Sequence, residues 1–115
     1  MARVEKFLNL AREISRESPA IQQKMGSCIV KAGKVISIGI NHGMTHAETS
    51  ALKKHMDYRG CDIFVMRWNS RVSKPCSACE QKIINAGINR CYYISLEGNI
   101  VEERFGRYSR LAPSP

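Results

Sequence analysis

The sequence predicts an α/β domain of three layers, helix over sheet over helix. Helical and strand-like stretches alternate along the chain, and the runs "SCIVK", "DIFVMRW" and "RCYYIS" are apolar almost without interruption. Strands apolar on both faces suit a sheet covered by helices on each side, whereas a half-exposed sheet would alternate apolar and polar residues. Only "LEGN" separates the fourth strand from "IVEERF". A parallel crossover needs about a dozen residues or more, so these two strands must pair antiparallel. The expected sheet is five-stranded and mixed, with an antiparallel C-terminal hairpin.

Each element has a local cause. Val4, Phe7, Leu8, Ala11 and Ile14 recur at helical spacing, giving an amphipathic first helix that "SP" at 18–19 stops. "SCIVK" and "VISIGIN" follow as strands, and the "AG" between them fits a tight hairpin. A second helix is expected from His46 to about Tyr58, capped by Gly60. "DIFVMRW" makes the third strand. After the polar loop "NSRVSK", Pro75 at a first-turn position starts a third helix from Cys76 to Ala86. "RCYYIS" and "IVEERF" complete the sheet, with a turn at Gly98-Asn99. Residues 1–106 are expected to form one domain and 107–115 a basic, flexible tail.

A chain of 115 residues can bury a single core and is too short for two. No apolar run approaches membrane-spanning length, and the start "MARVEKFLNLAREISRES" is too charged for the core of a secretory signal. The expected setting is cytoplasmic, with no membrane partner. Five cysteines are an odd number, and they read as reduced thiols or metal ligands rather than a disulfide framework. The net charge of +8 fits an anionic partner, such as a nucleotide phosphate or a nucleic acid, and equally a solvated surface.

The residues that carry chemistry open two helices. "THAE" places His46 and Glu48 at the start of the second, and "PCSAC" places Cys76 and Cys79 at the start of the third. One imidazole and two thiolates supply three ligands of a tetrahedral zinc and leave a fourth position for water, as a catalytic zinc requires. Zinc lowers the pKa of bound water from about 15.7 toward ~7, and a carboxylate is then needed to move protons. Glu48 is the nearest candidate. Helix starts also favour thiolates through their unpaired N–H groups. Cys76 and Cys79, at i and i+3, share a face and can reach one ion.

Each motif also has a plainer explanation. Thr45 and Glu48 fit a capping box, in which Glu48 would only bond to backbone. Cys76, Cys79 and Ile83 lie on one helical stripe and could be core. A C-x-x-C at a helix start could also be a redox pair. The joint pattern favours the metal: H-x-E and P-C-x-x-C, each after a strand and each opening a helix.

His46-Ala47-Glu48, a gap of 26 residues, then Pro75-Cys76-Ser77-Ala78-Cys79 resembles the cytidine/deoxycytidylate deaminase superfamily, whose zinc signature this is. The resemblance runs from about Gly26 to Phe105, and the chain is especially like small viral and phage members. It implies the cytidine-deaminase-like α/β/α fold and a hydrolase acting on a cyclic amidine C–N bond, converting cytosine to uracil. It implies that His46, Cys76 and Cys79 hold Zn2+, with zinc-bound hydroxide attacking C4 of the ring. Glu48 would take the water proton, protonate N3 and help ammonia leave. The Ala47 N–H would contact the ring carbonyl oxygen, and Asn41 would contact sugar or base.

The chain also departs from the pattern. Deoxycytidylate and tRNA adenosine deaminases place a helix between strands four and five, for which there is no room here. Free cytidine deaminases have the antiparallel ending but usually carry cysteine where this chain has His46. Lys74 stands where tRNA adenosine deaminases have glutamate, which weakens an adenine reading. The expected substrate is a small cytosine nucleoside or nucleotide: cytidine, deoxycytidine, CMP or dCMP. Cytosine in single-stranded nucleic acid is the alternative, supported by the charge and by arginines beside aromatics in "RWNSR" and "RFGRYSR". A non-catalytic zinc module is disfavoured because only three protein ligands are evident. His42 is expected to be solvated or beside substrate, His55 on the surface, and Cys28, Cys61 and Cys91 in or near the core. Relatives commonly associate, so a homodimer or homotetramer is expected.

Overall fold

The computed structural model describes residues 2–53, 57–69 and 71–105. In chain order it contains α1 (Ala2–Ser15), β1 (Met25–Lys31), β2 (Lys34–Ile40), α2 (Ala47–Ala51), β3 (Asp62–Arg67), α3 (Ser77–Asn85), β4 (Arg90–Ile94) and β5 (Ile100–Arg104). The sheet order is β2-β1-β3-β4-β5. β1 is antiparallel to β2 and β3, β3 and β4 are parallel, and β4 and β5 close the sheet antiparallel. The mixed sheet and its C-terminal hairpin are those predicted. Ala32 and Gly33 both take positive φ, 51° and 81°, as a two-residue turn between twisted strands requires.

The apolar strands serve two cores. Phe7, Leu8 and Ala11 of α1 pack on Cys28, Val30, Phe64 and Tyr92 on one face. On the other face Ile29, Ile63, Val65 and Tyr93 meet Ala51 and Ile83 of α2 and α3. Neighbouring strand positions thus face different helices, which removes the polar alternation of a one-sided sheet. Cys28, Cys61 and Cys91 are fully buried, and burial pushes the Cys28 thiol up to about 12. No helix among the described residues is long and apolar enough to cross a membrane.

Gly39 sets the position of α2. A Cβ there would overlap the Ala47 carbonyl oxygen and the Ala51 amide nitrogen, so only glycine lets the helix backbone rest directly on β2. Gly26 plays the same part against α1, where a Cβ would overlap the backbone of Ala11 and Ser15.

The structure corrects three expectations. The second helix ends at Ala51, because Leu52 is extended (φ −84°, ψ 105°). The buried Tyr58 hydroxyl accepts from the Lys53 N–H at 2.7 Å and donates to the Ala51 carbonyl at 3.2 Å, replacing the bonds that would have continued the helix. Gly60 accordingly caps no helix and sits in a turn with φ 79°. Pro75 precedes the N-cap residue Cys76 instead of occupying the first turn. His55 and the 107–115 tail lie outside the described residues.

Gly39→Ala is expected to destabilise the protein by about 1–3 kcal/mol, the usual penalty of overpacking. Urea unfolding measures this; an unchanged midpoint would show that α2 does not depend on that approach.

Candidate active site

The two motif residues that open helices share one geometry. His46 is the N-cap of α2 (φ −82°, ψ 157°) and Cys76 the N-cap of α3 (φ −69°, ψ 165°), and neither side chain makes a capping hydrogen bond. Their donor atoms are therefore free for other work. Together with Cys79, one turn into α3, they bring an imidazole nitrogen and two sulfurs within 4.8 Å of one another.

Hydroxyls anchor both helices to the sheet. On the α2 side, Ser27 Oγ donates to the Ala47 carbonyl at 2.8 Å and Ser37 Oγ to the Ala51 carbonyl at 2.5 Å. Before His46, His42 and Thr45 exchange backbone hydrogen bonds of 2.9 and 2.8 Å around Gly43. Thr45 is thus committed to this turn and is not the N-cap, so the capping box does not form. On the α3 side, buried Ser73 bridges the ends of β3 and β4. Its Oγ donates to the Val65 carbonyl and accepts from the Ile94 N–H, and its own N–H donates to the Ile94 carbonyl, at 2.8, 2.9 and 2.9 Å. The loop that carries Cys76 is therefore held two residues before Pro75.

The electrostatics of the site divide by burial. Glu48 is 3% exposed, and burial raises its pKa against the opposing pull of its own backbone N–H and of His46. Exposed Cys76 has a lowered pKa, chiefly through the nearby Cys79 backbone N–H at the start of α3. Buried Cys79 is pushed up to about 11 by burial and then by the Glu48 charge. The Thr49 hydroxyl, 3.8 Å from the Cys79 sulfur, acts in the other direction. The core-stripe reading holds for Cys79 and Ile83 and fails for Cys76, which faces solvent.

His46, Ala47, Glu48 and Cys76 line a cavity of about 420 Å³, with Asn41, Arg67, Ser73 and Lys74 among the other wall residues. Asn41 Oδ1 accepts from the Met25 N–H (2.8 Å) and Ser18 Oγ (2.6 Å), while Nδ2 donates to the Gln23 carbonyl (2.6 Å). One amide hydrogen of Asn41 is left for a ligand. His42 is exposed and outside the cluster.

Two soft sulfur donors and an imidazole beside an open cavity fit a divalent zinc ion, with protein ligands on one side and room on the other. A cation there would offset the resistance of Cys79 to ionisation. Sequence reasoning missed Ser27, Thr49, Ser73 and Arg67. The first three act through hydroxyls that bond across the fold, and small polar residues in a sequence carry no sign of such partners. Arg67 could have been found as the cation ending an otherwise apolar strand.

Comparison with known proteins follows the same lines. The family model described as "Cytidine and deoxycytidylate deaminase zinc-binding region" matches residues 1–95. The "uncharacterized deaminase in luxG 3′ region" of Aliivibrio fischeri is 29% identical over 108 residues, 76% of this chain and 69% of that protein. Among solved structures, a dCMP deaminase from the cyanophage S-TIM5 superposes with a TM-score of 0.66 at 25% identity, covering 80% of this chain and 82% of that one. The Thermotoga maritima diaminohydroxyphosphoribosylaminopyrimidine deaminase/5-amino-6-(5-phosphoribosylamino)uracil reductase gives 0.61 at 26% identity, with 78% of this chain spanning 28% of that larger protein.

Purified protein is expected to carry about one zinc per chain, with Cys76→Ser and Cys79→Ser each losing most of it. Elemental analysis by mass spectrometry decides, and full retention of zinc in both variants would overturn the ligand assignment. Ser73→Ala, which leaves the Val65 and Ile94 backbone groups without their side-chain partner, is expected to cost about 1–3 kcal/mol in urea unfolding.

Proposed function

We propose that this chain, which belongs to the cytidine and deoxycytidylate deaminase family, hydrolyses the exocyclic amino group of cytosine in a small nucleoside or nucleotide. The observation that carries the reading is the meeting of His46, Cys76 and Cys79 within 4.8 Å beside a cavity walled by a buried carboxylate. A zinc ion held by these three residues would act as a Lewis acid that makes water reactive at neutral pH. Everything else falls to the chain.

Glu48 moves the protons. Its carboxylate lies on the cavity wall two residues beyond His46, and burial raises its pKa, which suits a group that must both take and return a proton. It takes a proton from the attacking water and delivers it to ring N3 as the new C4–O bond forms. A second transfer lets the C4–N bond break, so that water and cytosine become uracil and ammonia. The backbone N–H of Ala47, also on the wall, serves the ring carbonyl oxygen, and the remaining Asn41 amide hydrogen serves the sugar or base. Asn41 can hold a fixed direction because three hydrogen bonds already fix its side chain. The cyanophage relative, a dCMP deaminase, supports the pyrimidine nucleotide class.

Glu48→Gln is expected to keep zinc and fold while losing turnover by about 10²–10⁴-fold, the usual share of general acid–base catalysis. Ammonia release from cytidine, deoxycytidine, CMP and dCMP measures this; activity within a few-fold of wild type would remove Glu48 from the chemistry.

The same residue makes a stability prediction for the zinc-free protein. A raised pKa means that the folded chain binds the Glu48 proton more tightly than the unfolded chain. The penalty for the buried charge is absent below the ordinary carboxylate value and grows as pH rises through the folded-state value. Glu48→Gln is therefore expected to be more resistant to urea than wild type at pH 8, with the gap closing toward pH 4. Lower stability at pH 8 would show instead that the carboxylate has a structural partner.

A further inference from the structure

Arg67 belongs to two cavities at once. It lines the wall of the candidate active site and also a second cleft of about 180 Å³, whose other walls are Ile21, Gln22, Lys24, Trp68 and Asn69. Its Nε is buried with no hydrogen-bond partner, and no described carboxylate forms an ion pair with its guanidinium. Lys74 stands on the active-site wall without an ion-pair partner among the described residues. Among the described residues Glu48 is the one acidic residue on that wall, and none lines the second cleft. A guanidinium in such a place calls for an anion from outside, and its planar fork matches a phosphate.

The second cleft has an aromatic wall. Trp68 is 40% exposed, and its backbone N–H is fixed to the Lys24 carbonyl at 2.9 Å. Arg12 on α1 and Arg16 in the turn just beyond its end place their guanidinium carbons 5.5 and 5.2 Å from the indole centroid. These contacts orient the ring, and Arg12 adds positive potential beside it, while Arg16 is partly offset by its 3.4 Å ion pair with Glu13. An indole beside cations, joined through a shared arginine to a site for a pyrimidine, is the combination that grips a single strand: phosphate on the cation, base on the ring.

We infer that the Trp68 cleft is a subsite for a nucleotide adjoining the target cytosine, with Arg67 holding the connecting phosphate and the neighbouring base stacking on the indole. The inference rests on the deaminase reading for what occupies the main cavity and extends it to cytosine within a strand. The chain's net charge of +8 favours the same ligand. A free mononucleotide would satisfy Arg67 and leave the indole without a ring to stack on, so the two sources of phosphate can be told apart.

Trp68 is the chain's one tryptophan, so its fluorescence reports this cleft alone. The zinc-loaded full chain is titrated with dCMP, with the nonamer d(TTTTCTTTT), and with a nonamer keeping the cytosine but abasic at every other position. Ammonia release is followed in parallel. The expected result is strong quenching by the nonamer and weak quenching by dCMP and the abasic strand. Equal quenching by all three, or none by the nonamer, overturns the inference even if dCMP yields ammonia. Quenching by the nonamer without ammonia from any cytosine compound would keep the subsite and overturn the deaminase reading. By fluorescence anisotropy of a labelled nonamer, Trp68→Leu and Arg67→Gln are each expected to bind roughly tenfold more weakly or worse, whereas Trp68→Phe retains a stacking ring and most of the affinity. Loss of affinity in Trp68→Phe equal to that in Trp68→Leu, with both folded by circular dichroism, would count against stacking.

Discussion

The close approach of α2 to the sheet is the constraint on which the site depends. With five residues, Ala47–Ala51, the helix is far too short to be stable by itself. It is held from outside: by the missing Cβ of Gly39, by Ser27 and Ser37 on its carbonyls, and by the Tyr58 hydroxyl at its end. His46, Ala47 and Glu48 all lie at its first turn, so whatever fixes this one turn fixes together the proposed metal ligand, backbone donor and proton carrier. Ser73 does the corresponding work for Cys76, because it ties the preceding loop to the ends of two parallel strands. A site assembled from two helix starts is as rigid as the sheet edge beneath both.

The charges in the site are in tension. Burial makes Glu48 and Cys79 resist ionisation, while the start of α3 helps Cys76 become a thiolate. A divalent cation at the meeting point of His46, Cys76 and Cys79 would lower the cost of the second thiolate. It would also stand beside Glu48, whose carboxyl burial already holds above the ordinary carboxylate value. On the proposed reading, metal binding and proton transfer would be coupled, because Glu48 and the three candidate ligands share one wall of the fold. The cations Arg67 and Lys74 on the cavity wall balance that chemistry with a place for negative charge.

Much of this was legible in the sequence because it depends on local pattern. The apolar strands, the "AG" turn and the short link before β5 dictate the sheet almost alone, and the two short motifs name the residues that converge. What could not be read depends on partners distant in sequence. The end of α2 is set by Tyr58, which a helical pattern through that residue conceals. Ser73, between valine and lysine in a polar loop, looks solvated and is in fact buried between strands. In "RWNSR" the arginines beside Trp68 in sequence suggested the cations that would accompany its ring, yet those placed over it, Arg12 and Arg16, come from α1 and the turn after it, more than fifty residues earlier.

The central claim is that His46, Cys76 and Cys79 form an open zinc site. Zinc K-edge X-ray absorption on the purified protein tests it most directly, because scattering from sulfur and from lighter atoms is separable. The account predicts two sulfur neighbours at about 2.3 Å and two nitrogen or oxygen neighbours at about 2.0–2.1 Å, one of them exchangeable with solvent. A shell with three or four sulfurs, or one closed by four protein ligands, would contradict it.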